Sequence, residues 1–146
     1  MKQCKTLVKS ADHIFFDRID IQCEIQPVPF DDISKGKPGE PSIEIRKRVI
    51  AARKIQEERF KDIKGVYCNA QMSERLIHQY AEPSSEGLDL LRMAMDRLSL
   101  SARAYNRILK VARTIADLNG SKDIQVNHLA EAISYRALDR GDWAER

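Results

Sequence analysis

Leu100-Ser101-Ala102-Arg103-Ala104-Tyr105-Asn106-Arg107-Ile108-Leu109-Lys110-Val111-Ala112-Arg113-Thr114-Ile115-Ala116-Asp117-Leu118 reads as one long amphipathic helix. Tyr105, Ile108, Leu109, Ala112, Ile115 and Ala116 recur at spacings of three and four, which places them on one stripe. Ser101 is a suitable N-cap, because its hydroxyl can accept from a backbone amide of the first turn. Asn119-Gly120 supplies a stop. Between residues 97 and 113 lie Arg97, Arg103, Arg107, Lys110 and Arg113, with no acid among them. An apolar stripe of this width needs other elements to cover it, so the helix predicts a bundle rather than an isolated rod.

The neighbouring sequence supplies those elements. Upstream, a helix is expected over residues 42–62, with Ile45, Val49, Ala52, Ile55 and Phe60 roughly on one face. Pro41 suits its first position, and Gly65 follows its end. A short helix is expected from Asn69, with Met72, Leu76 and Tyr80 as its apolar side and Pro83 as its stop. Ser84-Ser85 caps a third, striped by Leu90, Leu91, Ala94, Met95 and Leu98. Downstream, a fifth starts near Asn127 and carries Leu129, Ile133 and Leu138. The expected architecture is therefore mainly α, a bundle of about five helices.

The beginning of the chain has a different texture. Ile19, Ile21 and Cys23 alternate with Asp20, Gln22 and Glu24, which predicts one strand around residues 18–25. A lone strand leaves its backbone edges without partners, so it must belong with something larger. Residues 31–41 are rich in Gly and Pro and read as a linker. The expected division is a remnant over 1–30, a linker over 31–41 and a helical domain over 42–146.

Composition narrows the classes of function. The 146 residues are 42% hydrophobic and 32% charged, which suits a folded domain and not a disordered tail. No run approaches the roughly 18 apolar residues of a membrane span, and the first residues lack an apolar leader. A cytoplasmic location without membrane contact is expected. Cys4, Cys23 and Cys68 are widely spaced and odd in number, matching neither a disulfide framework nor a CxxC metal pair. No metal site is expected. Net charge is +3, yet residues 43–64 hold eight basic residues against four acidic ones. Such local positive charge attracts phosphates or simply solvates a helix face.

A self-contained active site is not visible. There is neither a GxxxxGK[ST] phosphate loop nor a GxGxxG turn. His13, His78 and His128 are scattered, and His128 fits a helix start better than ligation. Glu57-Glu58 lies on an expected solvent face, where a carboxylate pair has no acid–base task. Trp143 fits a packing role at the end of the bundle. Arg103, in the first turn of the long helix, joins a permanent charge to the positive helix end. Arg107 and Lys110 follow on the same face. Phosphate contact and plain solvation both fit that face. Arg18, just before the expected strand, could act as an arginine finger or form a surface pair with Asp17 or Asp20.

Residues 100–118, continued by 128–136 and by Leu138-Asp139-Arg140, resemble the C-terminal signature of the Mg-chelatase-like AAA+ ATPases of the ComM/YifB type. Gly39-Glu40-Pro41-Ser42, residues 45–49, Ala52-Arg53 and Cys68-Asn69-Ala70-Gln71-Met72 extend the resemblance, and Asp17-Arg18-Ile19-Asp20-Ile21 is similar to the family strand after sensor 1. The resemblance implies a helical lid that follows an α/β ATPase core, ring assembly (a hexamer when intact), and ATP with Mg²⁺ held between neighbours. It implies that Arg18 is an arginine finger acting in trans. It also implies that Arg103 is the sensor 2 residue contacting phosphate, with Arg107 a weaker phosphate contact. Its partners would be its own core, the adjacent subunits and DNA, with branch migration in transformation and recombination as the work. Residues 12–16 depart from the family pattern, and without a phosphate loop this chain is expected to bind no ATP alone and not to hydrolyse it. The alternatives are a standalone interaction module without catalysis and a fragment of a magnesium chelatase ATPase subunit.

Overall fold

The computed structural model describes residues 19–23, 25–30 and 39–136. Among them the fold is mainly α, with five α-helices and one short 3₁₀ turn. Helix α1 spans Ser42–Phe60, the 3₁₀ turn Asn69–Gln71, α2 Glu74–Tyr80, α3 Ser85–Leu98, α4 Ala102–Leu118 and α5 Val126–Ser134. Helix α4 is the centre. It packs against α5 most extensively, and also against α1, α2 and the 3₁₀ turn, while α3 reaches the bundle through α5.

The core follows the stripe of α4. Ala104, Ile108, Leu109, Ala112, Ile115 and Ala116 are all buried. All but Ala104 join one core cluster with Phe60 from α1, Leu76 and Ile77 from α2, Leu91 from α3 and Leu129 from α5. Phe60 and Tyr80 stack edge to face, with centroids 5.6 Å apart. Gly87 lets α3 approach α5: a Cβ there would sit 2.6 Å from Leu129 Cδ1.

Several local expectations shift. Pro41 is the N-cap of α1 rather than its first residue, and the helix ends at Phe60. Ala52, Gln56 and Phe60 form its buried side, whereas Ile45, Val49 and Ile55 are exposed. For Ile45 and Val49 the reason is length: a helix of 19 residues is about 28 Å long, and only its second half lies against the bundle. Ile55 is in that half but off the face formed by Ala52, Gln56 and Phe60. Asn69 starts a 3₁₀ turn, and α2 begins after Ser73. Asn69 is buried and bonded on all sides, so it does not serve as a solvent-side cap. Ser84 caps α3 through Gly87 N at 3.2 Å. Gln125, two residues before Asn127, caps α5, and His128 Nδ1 accepts from Gln125 N at 3.1 Å. His128 thus serves the helix start.

The strand expected around 18–25 includes residues 18 and 24, which lie outside the described residues, as do most of the 31–41 linker, Leu138 and Trp143. Residues 19–23 lie along the bundle: Gln22 N donates to Tyr135 O at 3.0 Å.

Candidate phosphate-facing helix end and the buried arginine network

The turn between α3 and α4 sets the start of α4. Ser99 adopts a left-handed conformation with φ 50° at the C-cap of α3, and Leu100 N bonds to Met95 O at 3.0 Å. Ser101 then caps α4, its hydroxyl accepting from Ala104 N at 3.2 Å. The first turn of α4 contains no acid, so nothing on the helix itself neutralises the positive end. Arg103 projects there. It is exposed and makes no ion pair among the described residues. A guanidinium beside the positive end of a helix is a chemically sound receiver for an anionic oxygen.

The other members of the basic stripe are engaged elsewhere. Arg107, one turn on, pairs with Asp20 and keeps only a quarter of its side chain exposed. Lys110 Nζ donates to Ala70 O at 2.9 Å. Burial lowers the Lys110 pKa from its ordinary value, opposed by the nearby Asp20 carboxylate. Arg18 lies outside the described residues. Among the sequence-selected arginines the structure thus separates Arg103, which faces solvent, from Arg107, which faces the N-terminal segment.

Arg113 is the largest departure from a solvating stripe. It is 2% exposed. Its Nε donates to Asp117 Oδ1 at 3.1 Å, Nη1 to Lys122 O at 2.7 Å and Nη2 to Ser121 O at 2.6 Å. Burial lowers the Arg113 pKa, and Asp117 opposes that by favouring the charged form. Arg59 reaches the same carboxylate from α1, with Nη1 2.7 Å from Asp117 Oδ2 and Nη2 on Oδ1. Asn69 completes the cluster. It accepts from Arg59 Nη1 at 2.8 Å and donates through Nδ2 to Asp117 Oδ2 at 2.8 Å and Thr114 Oγ1 at 3.1 Å. Its own amide donates to Gln56 Oε1 at 3.2 Å.

Gly120, with φ +64°, turns the chain so that the carbonyls of residues 121 and 122 meet Arg113. One carboxylate therefore serves two guanidiniums and an amide, joining α1, the 3₁₀ turn, α4 and the loop beyond it. These groups are saturated by each other and are structural in effect. Sequence reading missed them as a set. The available signal was an i,i+4 Arg–Asp pair, 113 and 117, flanking the apolar stripe.

No group of three or more potential metal-ligating side chains comes together among the described residues. No helix among them is long and apolar enough to cross a membrane.

Residues 39–136 match the family model described as magnesium chelatase, subunit ChlI C-terminal. The chain is 40% identical over 127 residues to the competence protein ComM of Haemophilus influenzae, covering 86% of this chain and 24% of that protein. It is 42% identical over 127 residues, with the same coverage, to the uncharacterised protein YifB of Escherichia coli. A Mycobacterium tuberculosis protein of uncharacterised function is 33% identical over 120 residues, 82% of this chain and 24% of that protein. The chain spans about a quarter of the length of these curated relatives. A matched region that coincides with α1 through α5, and relatives of the ComM/YifB type over most of the sequence, assign the chain to the family of magnesium chelatase ChlI C-terminal domains.

Proposed function

We propose that this domain is the helical lid of an AAA+ ATPase that remodels DNA. Arg103 contacts a phosphate of ATP·Mg²⁺ bound to the adjoining core, and Arg18 serves a neighbouring subunit of the ring as an arginine finger. The observation that carries the reading is the start of α4, where an exposed arginine and a capped helix end share one acid-free turn. Bound ATP supplies the energy, and the chain's own contribution is to recognise it: the fork of Arg103 orients on phosphate oxygen, and the rigid bundle transmits the resulting displacement. The description of one relative as a competence protein supports DNA uptake as the work, and branch migration is the remodelling step we assign to it. Basic residues exposed on α1, Arg46, Lys47, Arg53 and Lys54, supply positive charge for DNA. Binding through them weakens steeply with salt.

The test is Arg103→Ala in the ring-forming protein that contains this domain and its phosphate loop. ATP hydrolysis is expected to fall about a hundredfold to a thousandfold, in keeping with loss of one preorganised donor. Hydrolysis at the unaltered rate refutes the sensor role. A second reading, an interaction module without catalysis, draws on the exposed Ile43, Ile45, Val49 and Ile50 of α1. An antibody that detects the native protein in host lysate separates the two. A species well above 16.7 kDa supports the motor, and one at that mass supports the module. The family description also admits a magnesium chelatase subunit, but the relatives of the ComM/YifB type favour the first reading.

A further inference from the structure

The segment over residues 19–22 is held on the bundle at three places. Arg136 Nη1 donates to Ile19 O, Arg107 pairs with Asp20, and Gln22 N donates to Tyr135 O at 3.0 Å. These anchors lie on both sides of the bundle's main seam: Arg107 belongs to α4, and Tyr135 and Arg136 directly follow α5. The segment therefore bridges the seam. Beneath it lies a cavity of about 270 Å³, lined by Ile21, Val111, Ile115, Leu118 and Tyr135 among others. Ile21 is still 51% exposed, so apolar burial is a minor part of the attachment. The hold is mainly polar, through one ion pair and two bonds to main-chain atoms. Arg136 is fully buried, which fixes its guanidinium in place and makes it a rigid anchor.

We propose that residues 19–22 form a strap that fastens the incoming chain to α4 and α5, with Arg107 and Arg136 as its positioning residues. The sequence then connects the lid to what precedes it twice: covalently, through the Gly/Pro linker, and non-covalently, through the strap. A covalent connection by itself sets no orientation between the lid and what precedes it. The strap removes that freedom and ties the chain segment that Arg18 enters to the helix that carries Arg103. One residue of chain, Ile19, separates Arg18 from Asp20, and Arg103 precedes Arg107 by one helical turn. This inference rests on the lid reading for its purpose, but the strap itself is defined by this chain alone. Its consequence for the stripe is concrete: Arg107 acts by holding the strap, and phosphate contact falls to Arg103.

The experiment uses the 146-residue chain without nucleotide. Nitroxide labels are placed on Cys23, which is exposed at the end of the strap, and on Met93→Cys, an exposed site on α3, with Cys4 and Cys68 changed to Ser. Pulsed electron resonance should give a narrow distance distribution. Asp20→Asn with Gln22→Pro removes the ion pair and the amide donor, and should broaden the distribution at least twofold. Amide exchange at Gln22 in the unaltered chain should be slowed at least tenfold relative to an unstructured peptide, a readout that needs no variant. Asp20→Asn alone should speed that exchange. A broad distribution or unprotected Gln22 in the unaltered chain overturns the strap. A distribution equally narrow in the double variant overturns the assignment of Asp20 and Gln22 as its fastenings. These outcomes are independent of ATP, so a strap that fails leaves the Arg103 hydrolysis test standing, and the reverse also holds.

Discussion

Asp117 is the residue on which the most interactions converge. Its carboxylate is wholly buried and holds Arg59, Arg113 and Asn69 at once. Two cations sharing one anion leave a formal excess of positive charge, which the carbonyls of residues 121 and 122 offset by accepting from Arg113. Removing the anion is therefore far worse than removing one donor. Asp117→Ala is expected to destabilise the domain by about 3–5 kcal/mol, because two arginines lose their counter-charge inside the fold. Asn69→Ala should cost about 1–3 kcal/mol, the penalty for leaving polar partners unsatisfied. Urea denaturation followed by far-UV circular dichroism measures both. Equal losses for the two variants would show that Asp117 does not organise the cluster.

Between elements, packing rather than helix propensity sets what tolerates change. Helix α3 meets α5 at Gly87, where an added methyl would collide with Leu129 Cδ1 at 2.6 Å and crowd Pro83 Cβ at 3.1 Å. Gly87→Ala improves intrinsic helix propensity by about 1 kcal/mol, yet it overfills a tight contact. The expected net effect is a loss of about 1–2 kcal/mol, visible as a lower thermal midpoint; a gain would show that Leu129 gives way easily. Helix α1 provides the contrast along one element. Its second half is anchored by Phe60, 2% exposed, while Val49 in its first half is 47% exposed. Phe60→Ala should cost about 3–5 kcal/mol and Val49→Ser less than about 0.5 kcal/mol by the same urea titration. A large effect at Val49 would mean that the projecting half of α1 is covered in solution.

At the scale of the molecule the domain is a braced helical bundle. The core and the Asp117 network lock α1, α4 and α5 into one body, and polar fastenings attach the N-terminal segment to it. A rigid body suits the lid role proposed above, in which a displacement at the start of α4 is passed on through the bundle. The expected loss of hydrolysis in Arg103→Ala belongs to this scale, because the side chain has its effect only when a core and its nucleotide adjoin the helix. Among the described residues, none packs over the first half of α1. It extends about 15 Å beyond the packed region, at 1.5 Å per residue, and presents Ile43, Ile45 and Val49 beside Arg46 and Lys47.

The sequence by itself determined the helical class, the helix caps at Ser84 and Ser101, the stripe of α4 and the family. These are local or periodic properties: capping depends on one hydroxyl and the amides three residues on, and a stripe needs only spacing. Arg103 at the helix end was legible for the same reason. What the tertiary structure alone decided is which charged residues turn inward. Arg107, Lys110 and Arg113 share a helix and a sign, yet one holds Asp20, one meets a carbonyl of the 3₁₀ turn and one is buried against Asp117. Their partners lie as far as 87 positions away in sequence. Nor could periodicity tell that the first half of α1 projects, because a helix's own pattern does not state how far its neighbour extends. Long-range pairing depends on where the bundle brings distant segments, and no short window of sequence contains that information.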